Sequence, residues 1–267
     1  MQPGRLRFAL RSVLLPIFLF ILTACVQSVV QDVPTPQFTA IPQTEEPTPT
    51  INWFPATATP TPLQAIQPTP TSVAFDPQQY LGVILYEDDF SDSTRWETGK
   101  TASGNVVYGD GRLSLAVAGN KGSLTSLSPY TLPADFYLEM TANVSLCQYG
   151  DQYGILFWYL SSGDTYRLSL TCDGRLRLEL IAGNGGAVLQ DWTYARKMIP
   201  GSPAEQKIGL WAKVGEIRVF VNGAEQFTLK TGPDRTGRLG VFARAAGETA
   251  MTVSFSDLAV YQIENEP

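Results

Sequence analysis

FYLEMTANVSL, residues 136–146, alternates without a break. Phe136, Leu138, Met140, Ala142, Val144 and Leu146 fall on one side, and Tyr137, Glu139, Thr141, Asn143 and Ser145 on the other. Successive side chains of an extended chain point to opposite faces, so this stretch is a strand with one face in a core and one towards water. The same period returns in DGRLSLAV (110–117), DTYRLSLTC (164–172), RLRLELI (175–181), QKIGLWAKV (206–214), EIRVFVN (216–222), GRLGVFARA (237–245) and MTVSFSDLAVYQI (251–263). Asp110-Gly111, Asp173-Gly174 and Asn222-Gly223 punctuate these runs as turn dipeptides. No helical period persists past residue 80. About a dozen short strands in roughly 185 residues predict an all-β fold, an antiparallel two-sheet jelly-roll sandwich over 80–264.

Upstream of that region the texture is different. Arg5, Arg7 and Arg11 precede an apolar run from Ser12 to Ile21, the order of a secretory signal. The run is short and contains Pro16, whereas crossing a bilayer needs about 20 apolar residues. Leu22, Thr23, Ala24 and Cys25 then resemble a bacterial lipobox. An ordinary cleaved signal or an uncleaved anchor helix is the alternative. The lipobox implies a signal peptide over 1–24, a lipidated Cys25, and a chain held outside the cytoplasm by its acyl groups, two of which suffice for stable anchoring. Residues 25–79 are dominated by Pro and Thr, with PTPQ, PTPT, TPTP and PTPTS recurring. Such sequence cannot bury enough surface to offset its ordering entropy; it extends at about 3.1 Å per residue and forms a stalk of up to about 150 Å.

Composition narrows the chemistry. The chain of 267 residues has a formal net charge of -6 and no basic stripe after Arg11, which excludes a nucleic-acid partner. Histidine is absent, so Ser-His-Asp and Cys-His triads and nearly all zinc and iron sites are excluded. Of three cysteines, Cys25 is assigned to lipid. Cys147 and Cys172 remain, and an oxidising compartment favours their disulfide. If SSGD (161–164) closes a hairpin, Cys172 at the end of its second strand returns to Cys147 at the entrance of its first.

DDFSDSTRW (88–96), DGRLSL (110–115), DQYGILFWYLSSGDTYRLSLTCDGRLRLEL (151–180), KVGEIRVFVNGAEQF (213–227) and GRLGVFARAAGETAMTVSFSDLAVY (237–261) together resemble a concanavalin A-like lectin/glucanase jelly roll. The laminin-G-like and 3-keto-disaccharide-hydrolase-like domains of bacterial surface lipoproteins are the members they are most similar to. The resemblance implies a carbohydrate-related role. Glucanases of this superfamily carry an E-x-D-x-E pattern on one strand, and none occurs here. The retaining mechanism, with carboxyls about 5 Å apart, therefore has no sequence support. The expectation is a non-catalytic recognition module for carbohydrate. A glycoside or 3-keto-disaccharide hydrolase is the alternative, and a structural or protein-binding spacer the third.

Hairpin pairing across SSGD sets Leu160 opposite Thr165, Trp158 opposite Arg167 and Leu156 opposite Ser169, with Ile155, Phe157, Tyr159, Tyr166, Leu168 and Leu170 on the core face. Trp158, Arg167, Arg177 and Glu179 then form a mixed aromatic and charged face suited to sugar, a ring stacking on the indole and hydroxyls bridged by charged groups. A Trp covered by a loop beside solvated charges is the competing assignment. If Trp158 is core, the ligand belongs around Trp192 and Tyr194. A plain two-residue turn at Asp173-Gly174 would put Leu178 on the polar face, so a bulge or odd loop is expected there. Asp88 and Asp89 near the first strand and Asp257 near the last could share a structural calcium ion, the one cofactor expectation. Solvated carboxylates at strand ends are the other reading.

Overall fold

The computed structural model describes residues 75–231 and 233–264. Residues 1–74, on which the signal-peptide, Cys25-lipidation and Pro/Thr-stalk expectations fall, lie outside the described residues. From Phe75 onward every alternating run has become a strand, and all pairings are antiparallel. In chain order the strands are β1 Leu81–Asp88, β2 Gly99–Thr101, β3 Gly104–Gly109, β4 Arg112–Val117, β5 Ser123–Leu132, β6 Phe136–Leu146, β7 Gln152–Tyr159, β8 Thr165–Thr171, β9 Arg175–Ile181, β10 Ala187–Tyr194, β11 Ala204–Lys213, β12 Glu216–Val221, β13 Ala224–Leu229, β14 Gly237–Arg244 and β15 Met251–Ile263. The front sheet has the order β10-β9-β8-β7-β14-β5. The back sheet runs β13-β12-β11-β6-β15-β4-β3-β2, with β1 also paired to β15. First and last strands are thus neighbours, Asp88 facing Leu258.

Between the sheets lies one continuous core. Phe136, Leu138, Met140, Ala142 and Val144 of β6 enter it, as do Leu168 and Leu170 of β8 and Leu176 and Leu178 of β9. Alternation alone accounts for those positions, because the period of two leaves one face of each strand to be buried. On the outer surface of the back sheet a second, smaller cluster joins Tyr137, Trp211 and Phe220. The segment before β1 covers it. Asp76 caps a 3-10 turn over Pro77–Tyr80, the Phe75 ring meets Trp211 edge-on at 5.1 Å, and the Arg218 guanidinium lies 4.0 Å from the Phe75 centroid. Packing on the back sheet thus already involves Phe75, ahead of the change of texture at Tyr80. Trp211 is buried, but beneath this cover and not between the sheets.

Candidate functional site

The hairpin of β7 and β8 holds the first departure from expectation. Phe157 pairs with Tyr166 and Leu156 with Arg167, two residues away from the anticipated Leu156–Ser169 pairing. A slip of two preserves the faces, so Arg167 and Ser169 still point outward. Trp158 does not. Its φ of 51° places it in the left-handed region, and β14 shifts register opposite it, so Phe157 and Trp158 both turn inward. Trp158 is fully buried, its Nε1 donates to the Pro133 carbonyl at 2.8 Å, and its ring contacts Phe136, Phe157 and Tyr166. This corrects its assignment to the ligand face. Beyond the bulge the alternation is inverted, and Tyr159 packs outside with Leu127, Leu156 and Phe242. Gly237 marks the same place in β14, since a Cβ there would fall on the Trp158 backbone.

The turn after β8 departs from a two-residue hairpin, as the burial of Leu176 and Leu178 requires. Cys172, Asp173 and Gly174 form a three-residue loop, with Gly174 at φ 85° and Thr171 bonded to Arg175 on either side. Cys147 and Cys172 are disulfide-bonded, their Cα atoms 6.1 Å apart.

With these registers the outer face of the front sheet can be traced row by row. Leu127, Gly240, Leu156, Arg167, Glu179 and Val188 stand side by side across the strands. The next row is Thr125, Phe242, Gly154, Ser169 and Arg177. A third runs Ser123, Arg244, Gln152 and Thr171, then Arg175 and Tyr194. Glu179 joins the first two rows: Arg167 Nη2 donates to its Oε1 at 2.6 Å, and Arg177 Nε lies 3.0 Å from its Oε2. Asp191 is 4.0 Å from the same Arg177 nitrogen. Three guanidiniums lie over rings: Arg167 over Phe242, Arg177 over Trp192, and Arg175 between Trp192 at 5.5 Å and Tyr149 at 5.6 Å. Such contacts are attractive and hold the guanidinium plane without occupying its N–H groups.

Arg167, Arg177 and Glu179 are thus brought together, and the aromatic partner is Trp192, not Trp158. Tyr149 and Tyr194 flank it and are 75% and 73% exposed. Tyr149 and Arg175 were missed in the sequence. Arg175 was visible as the next outward position of the β9 alternation, whereas Tyr149 sits in a loop that only the disulfide places. A depression of about 280 Å³ extends the site along β9 and β10, lined by Arg177, Glu179, Ile181, Gly186 and Val188.

The acidic residues assigned to calcium are otherwise engaged. Asp88 is buried and accepts from Phe90 N at 2.9 Å and Trp96 Nε1 at 3.0 Å, with Arg95 at 3.7 Å. Asp89 accepts from the Ser91 side chain and from Ser91 N, which together hold its pKa below the ordinary carboxylate value, and Asp257 accepts from its neighbour Ser256. Among the described residues no group of three or more ligating side chains could hold a metal ion. The DDFSDSTRW stretch is a loop tied down by its own carboxylates. Burial next to Asp88 pushes the Tyr108 hydroxyl up to about 12.

No family model matches the chain, and no curated protein matches it in sequence. Solved structures do match. One is described by its role in members of the human gut microbiota that express endo-acting O-glycanases to initiate mucin breakdown; it is 11% identical, covers 68% of this chain and 100% of its own, with a TM-score of 0.54. LamAcat from Zobellia galactanivorans is 11% identical over 70% of this chain and 100% of its own, at 0.53. A Bacillus licheniformis beta-glucanase is 12% identical over 68% and 98%, at 0.51. The domain has the concanavalin A-like fold. At these identities the likeness is one of backbone, and the chemistry of a concanavalin A-like domain lies in the side chains grafted on it.

Proposed function

We propose that this concanavalin A-like domain is a non-catalytic recognition module for carbohydrate, displayed outside the cytoplasm on a Pro/Thr stalk anchored through Cys25. The observation that carries the reading is the outer face of the front sheet, where an Arg167–Glu179–Arg177 network adjoins the Trp192, Tyr149 and Tyr194 rings. A sugar presents apolar C–H faces to rings and hydroxyls to mixed donors and acceptors, and this face offers both side by side. Support for a binding role over a hydrolytic one comes from the missing E-x-D-x-E pattern and from Glu179, whose carboxylate is ion-paired to both Arg167 and Arg177.

A glycan array probed with the chain from Phe75 onward tests the reading, and Trp192→Ala should weaken the strongest signal by about 1 to 3 kcal/mol, by analogy with other ring-stacking sites. Binding that is unchanged by Trp192→Ala would move the site off this face. The anchor has its own test. Radiolabelled palmitate should enter the wild-type protein and be lost from Cys25→Ser, which should leave the membrane fraction; equal labelling of both would exclude the lipobox.

A further inference from the structure

The charge of the face narrows the kind of sugar it takes. The chain has a formal net charge of -6. Yet the three rows of the front sheet carry Arg167, Arg175, Arg177 and Arg244 against the single carboxylate of Glu179. Other acidic groups stand at the border. Asp173 holds Arg175 at 2.6 Å from the turn, Glu97 holds Arg238 at 2.8 Å, and Asp191 is on the edge strand with its side chain 80% exposed. Arg244 is exposed at the end of β14, with no carboxylate in salt-bridge range among the described residues.

At the centre of the face three buried polar atoms have no partner: Arg167 Nε, Arg177 Nε and Ser169 Oγ. Arg177 Nε is close to Glu179 Oε2, but its N–H finds no acceptor there. Ser169 lies directly across the ladder from Arg177 and two residues from Arg167, which sets the three within about 5 to 8 Å of one another. Ser169 itself is fully buried. All three atoms can donate, and buried donors without acceptors are costly. The unpartnered acceptor in this region, Asp173 Oδ1, belongs to the turn that already holds Arg175. These three atoms are themselves sealed from solvent, but the Arg167 and Arg177 side chains remain 23% and 26% exposed, and a planar carboxylate meeting that exposed edge matches the guanidinium fork with two parallel hydrogen bonds.

We propose that the saccharide bound at this face is acidic, carrying carboxylates as uronate chains do, with its carboxylates on Arg177, Arg167 and Arg244 and its rings against Trp192. The proposal rests on the carbohydrate reading above. Titration calorimetry of the full-length chain in detergent against oligosaccharides of polygalacturonate, alginate and hyaluronan, with cello- and laminari-oligosaccharides of matched length, separates the two. At least one uronate chain should bind about tenfold more tightly than either neutral chain at low salt. That advantage should shrink between about 0.05 and about 0.5 M salt, as the screening length falls from about 14 to about 4 Å. Arg244→Gln, at an exposed position the fold does not need, should weaken uronate binding about threefold and leave neutral chains unaffected. Arg177→Lys, which keeps the charge and loses the fork, should weaken it by about tenfold. Neutral chains binding as tightly as every uronate chain would overturn the acidic assignment and leave the carbohydrate reading standing. Dextran sulfate outcompeting the uronates would replace carboxylate recognition with charge density alone, and binding of no chain at all would overturn both readings.

Discussion

Trp158→Ala should lower the unfolding free energy by about 3 to 5 kcal/mol, the range for emptying a fully buried large aromatic site. The indole is packed among Phe136, Phe157 and Tyr166, and Nε1 donates to the Pro133 carbonyl. Truncation therefore removes ring contacts on several sides and leaves that carbonyl without its donor. The bulge restricts relaxation, because the Trp158 backbone is clamped against Gly237 and a residue at φ 51° has little freedom to collapse into the space. Guanidinium titration followed by circular dichroism should report the loss as a lower midpoint with an unchanged slope. In the same experiment Trp192→Ala should cost about 1 to 2 kcal/mol, since that half-buried ring gives up two guanidinium contacts but no core packing. A Trp158→Ala domain as stable as wild type would mean the indole is not part of the core at all.

That contrast between two tryptophans marks where the sequence stopped being legible. Strands, sheet number and core faces followed from period two, because burying one face leaves an alternation that any reader of β6, β8 or β9 can see. Even the odd loop at Gly174 was deducible, since a plain turn would have exposed Leu178. The bulge at Trp158 was not. FWY is apolar at three successive positions, so alternation says nothing there, and the signal that fixes the face is a backbone angle plus Gly237, distant in the chain and close in space. A single left-handed residue moved the indole from the ligand face to the core. Arg167, Arg177 and Glu179 escaped because a two-residue slip returns each side chain to its own face. The cover over Trp211 was hidden for another reason: Phe75 lies at the end of a Pro/Thr stretch, where one ring carries no period.

Removing the disulfide should cost about 3 to 4 kcal/mol through the denatured state, since Cys147 and Cys172 close a loop with a sequence separation of 25. A Cys147→Ser/Cys172→Ser double variant and reduced wild type should unfold at the same denaturant midpoint, both below oxidised wild type. Coincidence of all three would show that the bond contributes nothing. The native state has a separate stake in it. Cys147 precedes Tyr149 by two residues, and Cys172 precedes Arg175 by three, so the bond ties the loop bearing one ring of the site to the turn bearing the guanidinium beneath it. Asp151 is a second tie, accepting from Gln148 N at 2.7 Å and Ala246 N at 2.8 Å while its carbonyl receives Cys172 N at 3.2 Å. With Asp151 intact, the reduced domain should keep its strands and remain folded at room temperature. The Tyr149 ring, attached by one fewer link and 75% exposed, should then sample more positions over Arg175, so reduction should weaken ligand binding even under conditions where the domain is fully folded. Binding that survives reduction unchanged, with the midpoint lowered as expected, would assign the disulfide to stability alone and leave Trp192 as the ring that holds the ligand.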